Sequence, residues 1–201
     1  MKHINFLQKI GILSLLLLLA SCASTSVTGS WKDASYNKPA KHILVVAFAK
    51  KEASRRIFED TLTKDLIKAG VKADISVKFF PEVNKINKKT LAPIVKKENY
   101  DMVFVARVIS VDKETRYVPS GYPSNYYSMY GYSGYASSYY RDPGYTVQDT
   151  IVSLEFNLYE TSGAKLIWAL TTETFQPDKI NKEIASLSEI IIKKLKEDKF
   201  I

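Results

Sequence analysis

The chain has 201 residues, of which 46% are hydrophobic and 25% are charged, and 29 Lys and Arg face 21 Asp and Glu. This composition is typical of a globular domain and excludes collagen, coiled coil and wholesale disorder. One cysteine excludes an internal disulfide framework, and two histidines leave few ligands for a catalytic metal.

The first 22 residues have the pattern of a bacterial lipoprotein signal. Two lysines precede an apolar run at 10–20, which is shorter than the roughly 20 residues that a membrane-spanning helix needs. The tetrapeptide LASC at 19–22 matches the lipobox, in which small residues fit the signal peptidase and the cysteine thiolate accepts a diacylglyceryl group. We therefore predict cleavage between Ser21 and Cys22, with Cys22 carrying the membrane-anchoring acyl chains, palmitate among them.

The residues after the cleavage point indicate a location. Cleavage removes Lys2 and Lys9 and lowers the net charge from +8 to +6. Residues 22–29 are small and polar, which predicts a lipidated tether. Ala23 stands where Asp would favour the inner membrane, and no acidic run for surface export follows. We expect an anchor in the outer membrane and a domain that faces the periplasm.

Hydrophobic periodicity predicts the elements of residues 30–201. In chain order they are a buried strand at 41–49, a helix at 53–69 capped by Gly70, a strand at 74–80, a helix at 88–99 with Pro93 in its first turn, a strand at 102–116, strands at 146–160 and around 166–170 joined by a turn at 161–163, and a helix at 181–199. The fold class is α/β. We predict one three-layer domain, βαβα followed by an antiparallel three-stranded meander and a C-terminal helix.

Individual polar and aromatic residues have structural interpretations. Arg55 and Glu59 stand four apart on the first helix, which predicts a surface ion pair worth about 0.3–0.5 kcal/mol; the alternative is a contact that fixes the loop over the end of the sheet. We expect His42 at a strand end, Trp31 clamping the tether on the domain, and Trp168 in the core.

The sequence lacks the constellations that catalysis requires. After acylation of Cys22 no Cys/His pair remains, no cluster has zinc-ligand spacing, and the first βα junction has no phosphate-binding glycines. We therefore predict no enzyme, no metal and no cofactor; a pair of carboxylates that acts on cell-wall material is the alternative. The basic surplus indicates a solvated surface or an anionic envelope partner, not nucleic acid.

A tyrosine-rich insertion at 117–145 is the strongest candidate for binding. It holds ten of the 13 tyrosines, and Tyr, Gly and Ser give an amphipathic, adaptable contact surface. The alternative is a passive low-complexity insertion. The candidate binding residues are Tyr122, Tyr126, Tyr127, Tyr130, Tyr132, Tyr135, Tyr139 and Tyr140.

Together these motifs resemble an uncharacterised family of Gram-negative envelope lipoproteins. The resemblance is carried by the lipobox, Ser30-Trp31-Lys32-Asp33, the apolar strand 43–49, Arg55 with Glu59, the tyrosine-rich insertion and Trp168. The element order is also similar to that of lipoproteins that activate penicillin-binding proteins and to the small N-terminal domain of the Tol-system propeller protein. The family has no established activity, so the resemblance assigns no catalytic residue, and the second similarity concerns the fold only. From the sequence as a whole we predict a non-catalytic lipoprotein that binds an envelope protein or a cell-wall glycan. A cell-wall enzyme or a structural, assembly-forming lipoprotein is the alternative.

Overall fold

One six-stranded sheet runs through the residues that the structure, a computed structural model, describes: 25–118, 145–177 and 179–201. The elements in chain order are β1 Thr25–Lys32, β2 His42–Phe48, α1 Glu52–Lys68, β3 Lys72–Ile75, α2 Lys88–Lys97, β4 Met102–Val118, β5 Tyr145–Glu160, β6 Lys165–Phe175 and α3 Ile180–Glu197. Two short 3-10 turns, Ser76–Lys78 and Val83–Lys85, connect β3 to α2.

The sheet has the order β1-β6-β5-β4-β2-β3. β2 pairs in parallel with both β3 and β4, and every other pair is antiparallel. The βαβα unit, the meander β4-β5-β6 and the C-terminal helix all follow the predicted order, so the predicted α/β class is confirmed.

Helices cover both faces of the sheet. On one face α1 and α3 form the larger core with the sheet, which includes Phe58, Leu62, Leu66, Phe104, Phe156, Trp168, Ile184, Leu187, Ile191 and Leu195. On the other face α2 packs over Leu44, Val46, Tyr100 and Val103. β2 is buried on both sides because it lies between these layers. Gly70 ends α1 with a φ of +92°, the left-handed conformation expected of a C-terminal cap.

The segment expected to be a tether is in part a strand. β1 begins at Thr25 and pairs with β6 from Thr25↔Thr174 to Lys32↔Trp168. Edge pairing of this kind is made by the backbone, so short polar side chains do not reveal it. Trp31 lies in β1 with 49% of its surface exposed, so the expectation that it clamps the tether is wrong.

Two further expectations for local structure are wrong. The strand predicted at 74–80 ends at Ile75, because the chain turns there and brings Ser76 and Val77 onto the Glu59 carboxylate. Pro93 lies in the second turn of α2 because Asn87 caps the helix and starts it at Lys88. The Asn87 side chain accepts hydrogen bonds from the backbone N–H groups of Lys89 and Thr90.

Among the described residues, no helix is both long and apolar enough to cross a membrane.

Candidate functional site

A buried ion pair lies at the carboxyl end of β2. Arg55 and Glu59 are fully buried, and Arg55 Nε donates to Glu59 Oε1 over 3.1 Å. The prediction of a surface ion pair is therefore wrong, and the alternative, a contact that fixes the chain at the end of the sheet, describes the structure. The reason is that both residues lie on the side of α1 that faces the turn after β3.

The partners of this pair come from three segments. Glu59 also accepts hydrogen bonds from the backbone N–H groups of Ala47 and Val77, each over 3.0 Å, and from Ser76 Oγ over 2.8 Å. The Arg55 guanidinium donates in addition to Ser76 Oγ and to the Pro81 carbonyl. Because these bonds use both carboxylate oxygens and all three guanidinium nitrogens, the network joins β2, α1 and the turn after β3.

A second polar cluster lies at the opposite end of β2. His42 Nε2 and Tyr100 Oη each lie 3.0 Å from Asp74 Oδ2, and the His42 and Tyr100 rings are tilted by 45° to each other with centroids 4.2 Å apart. Burial acts to raise the pKa of Asp74, but the hydrogen bonds from His42 and Tyr100 outweigh it and lower the pKa. Burial and the bond to Asp74 raise the pKa of Tyr100. The predicted strand-end position of His42 is confirmed.

An apolar groove lies where the strands of the sheet extend beyond the ends of α1 and α3. β4 has 17 residues and spans about 56 Å, whereas α1, also with 17 residues, spans about 26 Å. The strands therefore continue beyond the first turns of α1 and α3. This helix-end groove has a volume of about 290 Å³ and is lined by Ala47, Phe48, Ala49, Ser54, Phe58, Ala106, Arg107, Val108, Val152, Leu154, Phe156, Thr174, Pro177, Ile180, Glu183, Ile184 and Leu187.

The groove leaves large apolar side chains in contact with solvent. Phe48 is 39% exposed, Val108 is 40% exposed and Ile180 is 54% exposed. Polar groups lie around them: Arg107 is paired with Glu155, and Thr174 Oγ1 is bonded to Thr25 Oγ1 on β1. The site is thus an apolar depression with a polar border.

A larger cleft lies on the other face, between α2 and the sheet. This α2 cleft has a volume of about 910 Å³; the residues that line it include Val46, Leu91, Val95, Val103, Val105 and Tyr159, with Asn87, Lys88, Lys96, Asn99 and Glu160 at its border. No residue of α2 is fully buried. The cleft exists because α2 rests on β2 and the start of β4 and leaves its apolar side half covered.

Hydrogen bonds hold several of the described carboxyl groups in their ionised form. Hydrogen bonds from Lys165 and Ser35 lower the pKa of Asp33 to about 2. Hydrogen bonds from Lys68 and Ser188 outweigh burial and lower the pKa of Asp65, and those from Ser162 and Gly163 do the same for Glu160. Within residues 25–118, 145–177 and 179–201, no three His, Cys, Asp or Glu side chains come together as metal ligands.

Most of the site residues predicted from sequence are not among the described residues that line the two clefts. Cys22, the Ser21–Cys22 cleavage point and all eight candidate tyrosines lie outside the described residues. The strands that lead into the tyrosine-rich segment are paired up to Val118↔Tyr145. Neither cleft was predicted. For the α2 cleft, the sequence KKTLAPIVKK at 88–97, apolar in the middle and basic at both ends, was the available signal.

No protein-family model matches the chain, and no curated protein matches it. Among solved structures, the chain is similar to a PelC dodecamer from Paraburkholderia phytofirmans, with 13% identity over 84% of this chain and 95% of that one and a TM-score of 0.47. Lipoprotein GNA1162 from Neisseria meningitidis is 12% identical over 78% of this chain and 99% of its own, with a TM-score of 0.43. A neuraminyllactose-binding haemagglutinin homologue from Helicobacter pylori is 13% identical over 84% and 91%, with a TM-score of 0.38. These likenesses assign no role to any side chain of this protein.

Proposed function

We propose that this protein is a non-catalytic, lipid-anchored lipoprotein of the outer membrane that binds an apolar segment of an envelope protein in the helix-end groove. The observation that carries the proposal is the exposure of Phe48, Val108 and Ile180 around one depression. Exposed apolar patches with a polar border mark protein-binding sites, because the apolar centre gains from leaving water and the border keeps the free protein soluble.

The lining of the groove favours a protein segment over a glycan. A sugar presents hydroxyl groups that need hydrogen-bond partners, whereas the floor of the groove consists of apolar side chains that offer none. Of the polar groups at its border, Arg107 and Thr174 are already paired within the fold. Burying sugar hydroxyls against Val108, Val152 and Leu154 would leave them without partners, which is costly.

Five acids of the described residues have the environment of structural carboxylates rather than that of a general acid for cell-wall hydrolysis. A glycoside hydrolase needs one carboxylic acid whose pKa is raised, so that it holds a proton for the leaving group. The shifts resolved for Asp33, Asp65, Asp74, Glu160 and Glu197 are all downward. Each of these side chains is held as a carboxylate by hydrogen-bond donors, which suits structural contacts.

Photo-crosslinking in living cells tests the groove. A photoreactive amino acid at Val108 or at Ile180 should yield the same crosslinked protein, and the purified partner should bind the lipoprotein directly. A Val108→Asp variant should weaken that binding by about tenfold or more, because the charge would be buried in an apolar contact.

Ile67 provides the matched control. It is 54% exposed on α1 and does not line the groove. The same crosslinked product from position 67, or equal loss of affinity in Ile67→Asp, would contradict the proposal, as would unchanged binding by Val108→Asp.

A further inference from the structure

Helix α2 has an apolar side that packing against the sheet buries only in part. Leu91 and Val95 are half-buried and, with Val46 and Val105 of the sheet, form the apolar floor and wall of the α2 cleft. Its volume of about 910 Å³ lies in the range of small-molecule sites, about 300–1,000 Å³. A cleft of this size and lining accommodates a hydrocarbon chain.

Lysine side chains give the border of the cleft a positive charge. Helix α2 holds Lys88, Lys89, Lys96 and Lys97 and no acidic residue. Lys88 and Lys96 line the cleft, about 12 Å apart along the helix axis. In the described part of the chain, no carboxylate comes within 4.0 Å of either ammonium group.

Glu160 is the acidic side chain of the lining, and its hydrogen bonds hold it in a turn of the backbone. Its Oε2 accepts from Ser162 Oγ over 2.6 Å and its Oε1 accepts from the Gly163 N–H over 2.8 Å. With two lysines against this one carboxylate, the border has a positive balance that an anion would complement.

We propose that the α2 cleft binds an anionic single-chain amphiphile, a fatty acid or a lysophospholipid, whose chain lies on Val46, Val105, Leu91 and Val95 and whose charged group pairs with Lys88 or Lys96. A neutral hydrocarbon would leave the lysines without a partner, and a small inorganic anion would leave the apolar floor in water. Phe48 borders both this site and the helix-end groove, but Val46, Val105, Leu91, Val95 and the two lysines line the α2 cleft alone. The proposal rests on these residues and does not depend on the partner proposed for the groove.

Calorimetric titration of the mature chain, residues 22–201 with Cys22→Ser so that it carries no acyl group, tests the proposal without competing detergent. The probes, used below their micelle-forming concentrations, are dodecanoate, dodecanoyl lysophosphatidylglycerol and the neutral dodecyl maltoside. We expect saturable binding of at least one anionic probe, with dodecyl maltoside weaker by about tenfold or more, since charge-assisted contacts are the strong ones. The two anionic probes distinguish a carboxylate from a phosphate head group.

Paired variants on one helix separate the site from general charge. Lys88→Gln/Lys96→Gln should weaken binding of the anionic probe by about tenfold or more. Lys89→Gln/Lys97→Gln removes the same charge from exposed positions outside the cleft and should change the affinity less than about twofold. Ala92→Phe, an exposed position on the lining, should block binding by filling the cleft.

Three results would overturn the proposal. The first is equal affinity for the neutral and anionic probes. The second is equal weakening by both lysine pairs, and the third is unchanged binding in Ala92→Phe. Amide NMR shifts locate the ligand in the same titration: they should move at Val46 and Val105 and not at Val152, which lines the helix-end groove. Shifts at Val152 alone would also overturn the proposal.

Discussion

Glu59 accepts four hydrogen bonds although its side chain is wholly buried. A buried carboxylate is tolerable only when its charge is paired and its lone pairs are used, since desolvation alone costs several kcal/mol. Arg55 supplies the charge, and Ser76 with two backbone N–H groups supplies the remaining bonds. The pair therefore specifies where α1 and the turn after β3 sit against the end of β2.

Two adjacent arginines of α1 allow a matched test of this network. Arg55 pairs with buried Glu59, whereas Arg56 pairs with Glu52 at the surface. We expect Arg55→Ala to lower the free energy of unfolding by about 3–5 kcal/mol, because it leaves a buried charge unpaired. Arg56→Ala should lower it by less than about 1 kcal/mol. Urea denaturation of both variants measures the difference, and equal losses would mean that the buried pair contributes no more than a surface one.

Asp33 links the end of β1 to the start of β6 and gives stability a pH dependence. Its carboxylate accepts hydrogen bonds from Lys165 Nζ, Ser35 N and Ser35 Oγ, which lower its pKa from 3.8 to about 2. A pKa that is lower in the folded state means that the stabilisation is complete above 3.8 and is lost as the pH falls towards 2.

Asp33→Asn should therefore be less stable than the parent protein at pH 5–7, and the free energies of unfolding of the two proteins should converge as the pH falls from 3.8 towards 2. Urea denaturation at a series of pH values measures both curves. A constant difference down to pH 2 would show that the contribution of Asp33 does not depend on its charge.

At the scale of elements, the main feature is the difference in length between the strands of the sheet and the helices that cover them. β4 and β5 carry 17 and 16 residues and rise more than 3 Å per residue, about twice the rise of α1 and α3. The uncovered half of these strands creates the helix-end groove and then leads into the tyrosine-rich segment.

The ladder between β4 and β5 predicts that the tyrosine-rich segment is dispensable for folding. Val118 and Tyr145 are already register partners, so a short turn can join the strands. Replacing residues 120–143 with a short Gly/Ser turn should change the free energy of unfolding by no more than about 2 kcal/mol, since loop-closure entropy varies as the logarithm of length. Unfolding of this variant would show that the tyrosines belong to the core.

The same variant tests the binding role predicted for those tyrosines. If they contribute to partner binding, its crosslinking from Val108 should weaken although the fold is intact. Unchanged crosslinking would show that the segment is a passive insertion.

At the scale of the whole molecule, β1 connects the predicted anchor to the fold. Thr25, the first residue of β1, lies three positions after Cys22, and its hydroxyl bonds to Thr174 of β6. The domain would therefore sit close to the membrane, because only two residues separate the acylated cysteine from the sheet.

Cys22→Ser should abolish incorporation of labelled palmitate and release the protein from membranes, because the acyl chains supply the affinity for the bilayer. Cell fractionation with a high-salt wash, compared with the parent protein, measures the release. A Cys22→Ser protein that remains in the washed membrane fraction would contradict the predicted anchor.

The order of the elements after β1 was determined by sequence because periodicity is a local property. The alternation of apolar residues in β5 and the apolar stripes of α1 and α3 are each visible within a single segment of the sequence. These three elements were therefore predicted close to their observed bounds. The lipobox is local in the same way, and the acylation of Cys22 stays a prediction from sequence alone.

Only the tertiary structure decided which polar residues are buried and where the surface forms clefts. Glu59 takes its partners from Ala47, Arg55, Ser76 and Val77, up to 18 positions away, so its spacing from Arg55 alone indicated a surface pair. The strand β1 depends on pairing with β6, whose register partners lie 136 to 149 positions further along the chain. Both clefts arise from the relative lengths and placement of packed elements, which no single segment of the sequence encodes.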